Sequence, residues 1–387
     1  MPLRRSQPVP DSAVRQPRLL VFAPTRRAAS ETFVRANLAG LPFAVQAYFG
    51  DERPLHDANR LAYGLAVWLS KVFTRLGLLR LASWPAANVA RALIRQHQPD
   101  LVLAEFGFHA VRVMNAAAAT RVPFVVHFRG SDLSAQGKLG VLHARYRRLL
   151  MLAQGVICKS KPMLQTLLEL GADPTRVLIS ASGANADLFH GSRPSIADPV
   201  FLAVGRFVSK KGPLHTIRAF QLQPIGSLWM VGDGPLLTEA QLLVQSLNLE
   251  SRVRFFGAMQ QEQVSALMRQ ARVFVQHSMV APDGDSEGNP VSVMEAQLSG
   301  LPVVATHHGG IPEVVLDQQT GLLVNEGDVV GMARAMERLM ADPTLADRFG
   351  ASGRSRVLAN FTLDHHLRDV TRFLEQVIDV GSQVSCR

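Results

Sequence analysis

The chain has 387 residues, 47% hydrophobic and 19% charged, which at about 150 residues per domain makes two domains with substantial cores. Two cysteines, Cys158 and Cys386, are too few for a disulfide framework or a zinc cluster, and 29 glycines with 22 prolines exclude a collagenous or low-complexity chain. A formal charge of +10 invites a nucleic-acid reading, yet it is unevenly spread: residues 1–195 carry 25 Lys/Arg against 11 Asp/Glu, and residues 196–387 carry 16 against 20.

The first 17 residues read as a loose basic leader. Met1-Pro2-Leu3-Arg4-Arg5 leads into Gln, Pro and Asp rather than the apolar run of a signal peptide, and no apolar stretch reaches the ~18 residues of a spanning helix. Residues 18–24 predict a buried strand ending at Pro24, and Ser30-Glu31-Thr32-Phe33 a helix start capped by Ser30. Residues 61–83 predict an apolar helix with a basic stripe at Lys71, Arg75 and Arg80. Strands follow at 100–104, 122–128, 154–159 (with Cys158 as a small core residue) and 176–180. Residues 190–199 hold Gly, Ser, Pro and Asp without an apolar pattern and read as a linker. Strands then restart at 200–204, 227–231, 253–256, 273–276 and 302–306, and a helix closes the chain from about residue 363.

Apolar strands alternating with helices specify parallel α/β sheets, and the restart specifies two. The expected organisation is a domain over 18–190, a second over 200–362, and a stretch 363–387 packing back toward the first. In such sheets ligands bind beyond the carboxyl ends of the strands. Two constellations lie there. In Asp283-Gly284-Asp285-Ser286-Glu287-Gly288-Asn289-Pro290-Val291, Asn289 predicts a helix cap and Pro290 a first helical position, so a helix N-terminus follows an acidic loop and offers an anion site. Glu287 precedes that terminus and Glu295 lies inside the helix. An ordinary solvated loop and surface helix would give the same spacing. Gly205-Arg206-Phe207-Val208-Ser209-Lys210-Lys211-Gly212 directly follows a strand, and Arg206 and Lys211 suit a diphosphate, although a solvated basic turn looks alike.

Glu287-Gly288-Asn289-Pro290 through Glu295-Ala296, then Gly300-Leu301-Pro302 and Gly309-Gly310-Ile311-Pro312-Glu313, resembles the signature of retaining family 4 glycosyltransferases. The likeness extends through Val204-Gly205-Arg206, Val231-Gly232-Asp233-Gly234-Pro235, Gly321-Leu322-Leu323-Val324 and Gly183-Ala184-Asn185, so it covers nearly all of 18–375. Ser30-Glu31-Thr32-Phe33 and the acidic run before Glu287 resemble the branch that builds bacterial exopolysaccharides such as colanic acid. The resemblance implies the GT-B architecture, two Rossmann-like domains facing a central cleft. It implies a nucleotide-diphosphate sugar donor, UDP- or GDP-linked, with no cofactor and no metal. By the same resemblance Arg206 and Lys211 hold the diphosphate after Gly205, and Glu287 contacts the donor sugar. Gly288, Asn289, Pro290 and Val291 present backbone N–H groups, Glu295 binds the ribose, and Gly232 and Gly257 border the base.

One position departs from the family. Members commonly carry His just before Gly130, where this chain has Arg129, with His127 two residues earlier. Residues i and i+2 of a strand share a face, so His127 partly replaces the missing side chain, or Arg129 itself contacts donor or acceptor; a core histidine is the plain alternative. Glu105 and Asp132 are acceptor candidates, and His307 and His308 line the cleft or support it. A dinucleotide enzyme would need G-x-G-x-x-G after the first strand, which reads Ala23-Pro24-Thr25-Arg26-Arg27 instead. A nucleotide-sugar epimerase or hydrolase is the nearest enzymatic rival, and a basic membrane-binding scaffold the non-enzymatic one. No aromatics interleave with a basic cluster, so no nucleic acid is expected. The expected activity is retaining transfer to a lipid-linked or saccharide acceptor in bacterial envelope synthesis. The expected location is the cytoplasm, with the basic first domain against an anionic membrane face.

Overall fold

The computed structural model describes residues 15–26, 32–78 and 81–385. Ser30, Glu31, Arg80, Cys386 and most of the leader lie outside the described residues. The first half folds as β1 (Arg18–Ala23), β2 (Ala44–Phe49), β3 (Leu101–Glu105), β4 (Phe124–His127), β5 (Gly155–Cys158) and β6 (Val177–Ile179). The second half supplies β7 (Val200–Val204), β8 (Ser227–Val231), β9 (Val253–Phe255), β10 (Val273–Gln276), β11 (Val303–Thr306) and β12 (Gly321–Val324). They form two six-stranded parallel sheets, in the orders β2-β1-β3-β4-β5-β6 and β12-β11-β10-β7-β8-β9. This is the two-domain α/β architecture expected from the alternation.

Strand alternation assigns the faces of the first sheet. Leu20, Phe22, Val102, Ala104 and Val126 pack under helices Trp84–His97 and Gly107–Thr120. Leu19, Val21, Leu101, Leu103, Val125 and Ile157 point the other way, onto Val370, Leu374 and Val377 of helix Leu363–Ser385. That helix belongs to the end of the chain yet covers the first sheet. The chain crosses back beside a bridge between Ala184 and Thr362.

Two strands were not expected. β2 and β12 are edge strands; β2 is half-exposed along most of its length and interrupted by Gln46, so it lacks the continuous apolar run of a central parallel strand, and β12 is an apolar run of only four residues. The single helix expected over 61–83 is broken. Helix Ala58–Arg75, capped by Asp57, stops before Gly77, whose φ of +72° turns the chain toward helix Trp84–His97. The basic stripe therefore keeps only Lys71 and Arg75 on one helix.

Candidate active site

The loops after β7, β8, β9 and β10 gather on one wall of the cleft. At Gly232, φ is +137° and a Cβ would lie 2.0 Å from Gly205 O, so only glycine lets the β8 loop close on the β7 loop. Arg206 stands exposed there, while Lys210 and Lys211 are drawn inward. Lys210 Nζ pairs with Asp285 at 3.1 Å. Lys211 Nζ lies 3.4 Å from Glu287 Oε1, an ion pair whose geometry makes no hydrogen bond. Burial acts to raise the Glu287 carboxyl, but Lys211, Lys210 and Lys159 outweigh it and hold Glu287 below the usual carboxylate range. The carboxylate thus stays ionised with an oxygen available to a ligand hydroxyl.

The helix that follows runs Val291–Ser299, and Pro290 takes the cap position with φ −71° and ψ 122°. The expected Asn289 cap is corrected: Asn289 is buried, and neither its Oδ1 nor its Nδ2 has a hydrogen-bond partner. Its side chain is turned inward beside Gly310, where a Cβ would sit 3.2 Å from the Asn289 Cβ. A support from His308, one of the two histidines expected to line the cleft or support it, stands behind Glu287. Its backbone N–H donates to His308 Nε2 at 2.9 Å, and His308 Nδ1 lies 2.6 Å from Glu326 Oε1. The accepting Nε2 leaves the proton on Nδ1, so Glu326 fixes the tautomer that positions Glu287.

Glu295 is buried, and Gln261 Nε2 donates to it at 3.1 Å. Burial pushes its carboxyl up to about 7, although Gln261 and Lys211 act to lower it. A carboxyl raised on folding makes the folded state bind more protons than the unfolded one, so this group costs stability as pH rises through that interval. Glu295→Gln is expected to match the wild-type Tm at pH 4, below the unfolded pKa, and exceed it at pH 8, where the ionised wild type is disfavoured by roughly 3 kcal/mol. Thermal melts at the two pH values check this; a Tm gain equal at both would reject the burial origin.

The facing wall comes from β3, β4 and β5. Arg129 is buried and bound to Glu105 by two hydrogen bonds, Nε to Oε2 at 2.7 Å and Nη2 to Oε1 at 2.8 Å. Asp132 accepts from the backbone N–H groups of Gly107, Arg129 and Gly130 at 2.8–3.2 Å. The acceptor candidates Glu105 and Asp132 thus have structural partners: one neutralises Arg129 and the other ties the β4 loop to the start of helix Gly107–Thr120. His127 is fully buried, and burial, then Arg129, depress its pKa well below the imidazole range. It is a neutral ring, and neither nitrogen has a hydrogen-bond partner.

The walls touch at the Glu287 turn. Ser134 Oγ donates to Asp285 Oδ1 at 2.9 Å and accepts from the Ser286 N–H at 3.0 Å. Asp285 and Ser286 before Glu287 thus link the domains, while Asp283 stays exposed. His127, Ser160, Glu287 and Asn289 hold six of the twelve buried, unsatisfied side-chain polar atoms among the described residues. Folded proteins satisfy such atoms, so their concentration at one domain boundary marks a ligand site. Among the described residues no group of three or more His, Cys, Asp or Glu could hold a metal ion.

Fold and site together define a two-domain glycosyltransferase of the GT-B type. HepE of Anabaena, solved in complex with UDP, superposes with a TM-score of 0.74 over 93% of this chain and 100% of its own, at 18% identity. Residues 21–183 match the glycosyl transferase 4-like domain and residues 190–356 the glycosyl transferases group 1 domain. The lipopolysaccharide core biosynthesis glycosyltransferase LpsD of Rhizobium meliloti is 31% identical over 75% of this chain and 78% of its own length. WcaL of Salmonella typhimurium, named as a colanic acid biosynthesis glycosyltransferase, is 28% identical over 78% of this chain and 80% of its own. The chain belongs to this family of group 1 glycosyltransferases, whose members include exopolysaccharide and lipopolysaccharide enzymes.

Proposed function

We propose that the chain transfers a glycosyl residue from a nucleoside-diphosphate sugar to a saccharide or lipid-linked acceptor, with retention of anomeric configuration and without a resident metal. The observation that carries this reading is the ionised Glu287, held between lysines beside the unpartnered Asn289 and the start of helix Val291–Ser299. Arg206, Lys211 and the helix N-terminus supply positive potential where a leaving diphosphate gathers charge. Gly205 and Gly232 bring backbone close to it, and Gly257, with nothing within 4 Å of a Cβ, leaves room for a base. Glu295, in the middle of the same helix, suits ribose hydroxyls. Gly288, Pro290 and Val291 provide the backbone turn around sugar and phosphate. The UDP bound by HepE makes a uridine donor the first to test. A nucleotide-sugar panel read by thermal shift tests the reading, since a ligand at 100 Kd adds about 2.7 kcal/mol. Product anomer analysis and activity in chelator test retention and metal independence. No stabilising nucleotide-sugar would overturn it.

The first domain is also proposed to rest on an anionic membrane. No helix among the described residues is long and apolar enough to cross one. Trp68 and Trp84 are 48% and 65% exposed, beside exposed Leu76, Leu78 and Leu81 and the cations Lys71 and Arg75. Aromatic rings with basic neighbours fit the headgroup layer. Flotation is expected with anionic vesicles at low salt, weakening at high salt. Trp68→Ser with Trp84→Ser should reduce it. Equal recovery with neutral and anionic vesicles would reject the electrostatic part.

A further inference from the structure

Lys159 follows β5 at the carboxyl end of the first sheet and is buried at 6% exposure. Around the Glu287 turn, each of three carboxylates has a cation. Glu105 pairs with Arg129, Asp285 with Lys210, and Glu287 with Lys211. Lys159 is left over: among the described residues no carboxylate lies within 4.0 Å of its Nζ. The ammonium rests 4.7 Å from the Phe33 ring centroid, whose face also carries the Arg129 guanidinium at 4.5 Å. A ring face does not discharge a buried cation, and leaving one unpaired costs stability. Burial, then the repulsion of Arg129, Lys210 and Lys211, brings the Lys159 pKa down to about 7, with only Glu287 acting to raise it.

The surroundings are those of an incomplete anion site. Ser160 Oγ, next in sequence, is buried without a partner, as are both side-chain polar atoms of Asn289 across the cleft. These groups converge on two glycines. A Cβ on Gly288 would lie 3.6 Å from the Lys159 Cβ, and one on Gly310 would lie 2.9 Å from the Ser160 Cβ and 3.2 Å from the Asn289 Cβ. The first domain thus offers an ammonium and a hydroxyl, and the second an amide and the start of helix Val291–Ser299. An oxyanion is the chemistry that accepts from the ammonium, the hydroxyl and the Asn289 Nδ2 together.

We propose that Lys159, with Ser160 Oγ and the Asn289 amide, forms a phosphoanion subsite on the N-terminal wall that takes an oxygen of a diphosphate. Two sources share that chemistry: the diphosphate leaving the donor, held from the other side by Arg206 and Lys211, or the diphosphate of a lipid-linked acceptor. Only the naming of these sources rests on the glycosyl-transfer reading. In either case the anion bridges the two domains, and the unpaired ammonium gains its counter-ion only when ligand arrives.

The test titrates inorganic pyrophosphate, then UDP and GDP, by calorimetry into the full chain as wild type, Lys159→Met and Lys211→Met. Lys159→Met is expected to weaken pyrophosphate binding about 10- to 100-fold, the worth of a charge-assisted hydrogen bond. Its ligand-free Tm should equal or exceed the wild type, because an unpaired buried charge is gone; a structural role would lower it. If the nucleoside diphosphates weaken in parallel, the donor is the source. If they bind Lys159→Met as they bind the wild type while pyrophosphate loses one of two sites, the acceptor is the source. Pyrophosphate that ignores the Lys159 change, or fails to bind the wild type, overturns the subsite. Loss in Lys159→Met with no effect of Lys211→Met on any ligand would instead reject the donor-wall assignment and leave the subsite standing.

Discussion

Arg206→Ala is expected to lower glycosyl transfer by about 100- to 1,000-fold, or ~3–4 kcal/mol of barrier, with no change in Tm. The size comes from removing one preorganised cation from the place where the leaving diphosphate becomes charged. The clean separation from stability comes from Arg206 itself, which is exposed and forms no ion pair among the described residues. A surface arginine without such a role would change stability by less than about 0.5 kcal/mol and activity not at all. Lys211→Ala should cost at least as much, but its reading is mixed. Lys211 is the first of the cations that hold Glu287 ionised, so its loss also leaves a buried carboxylate short of a counter-ion. Single-turnover rates with saturating donor, measured beside melting curves, separate the cases. Arg206→Ala activity within about threefold of wild type would remove the diphosphate role.

Arg129→Met is expected to destabilise the fold by about 3–5 kcal/mol, because it leaves Glu105 charged and alone in the interior. Glu105 and Arg129 are both essentially buried and joined through two short hydrogen bonds. The pair ties the end of β3 to the segment just beyond β4, on either side of the neutral His127. Replacing both partners, as Glu105→Leu with Arg129→Met, should recover most of the loss, since two apolar side chains of similar volume leave no orphaned charge. Denaturant titrations of the single and double variants measure this. A double variant no more stable than Arg129→Met would show that the pair is held by something other than mutual neutralisation. The pair also bears on chemistry. At the position where the family commonly carries histidine, this chain has a guanidinium already paired, beside an imidazole held neutral. Neither is arranged to pass a proton.

The central strands were legible because both their faces are buried, so β1, β3 and β10 read as unbroken apolar runs. The edge strand β2 was not, since Gln46 and partial exposure interrupt its pattern. On the donor wall the residues lie within short stretches, Arg206 to Lys211 and Glu287 to Glu295, so spacing after a strand was informative. Partnerships across the chain were not. Glu105 and Arg129 stand 24 residues apart, and only the register of β3 beside β4 brings them together. Lys159 looked like the polar tail of an apolar strand, and His308 like one of two adjacent histidines lining or supporting the cleft, with no partner named. Their roles come from what the folded chain places opposite them. Asn289 shows the limit of local rules: its residue type and the following proline fit a cap, yet packing beside Gly310 turned the side chain inward.

The return of helix Leu363–Ser385 to the first sheet sets an order of synthesis against an order of completion. The ribosome makes β1 to β6 first, yet Leu19, Val21, Leu101, Leu103, Val125 and Ile157, on which Leu41 and Phe43 already pack, lack the rest of their cover until Val370, Leu374 and Val377 emerge. The second domain, whose strands lie between them in sequence, can close its own core earlier. During translation the nascent first domain therefore exposes part of one apolar sheet face for the whole time the second is being made, the period in which a chaperone or an early membrane encounter has most to act upon.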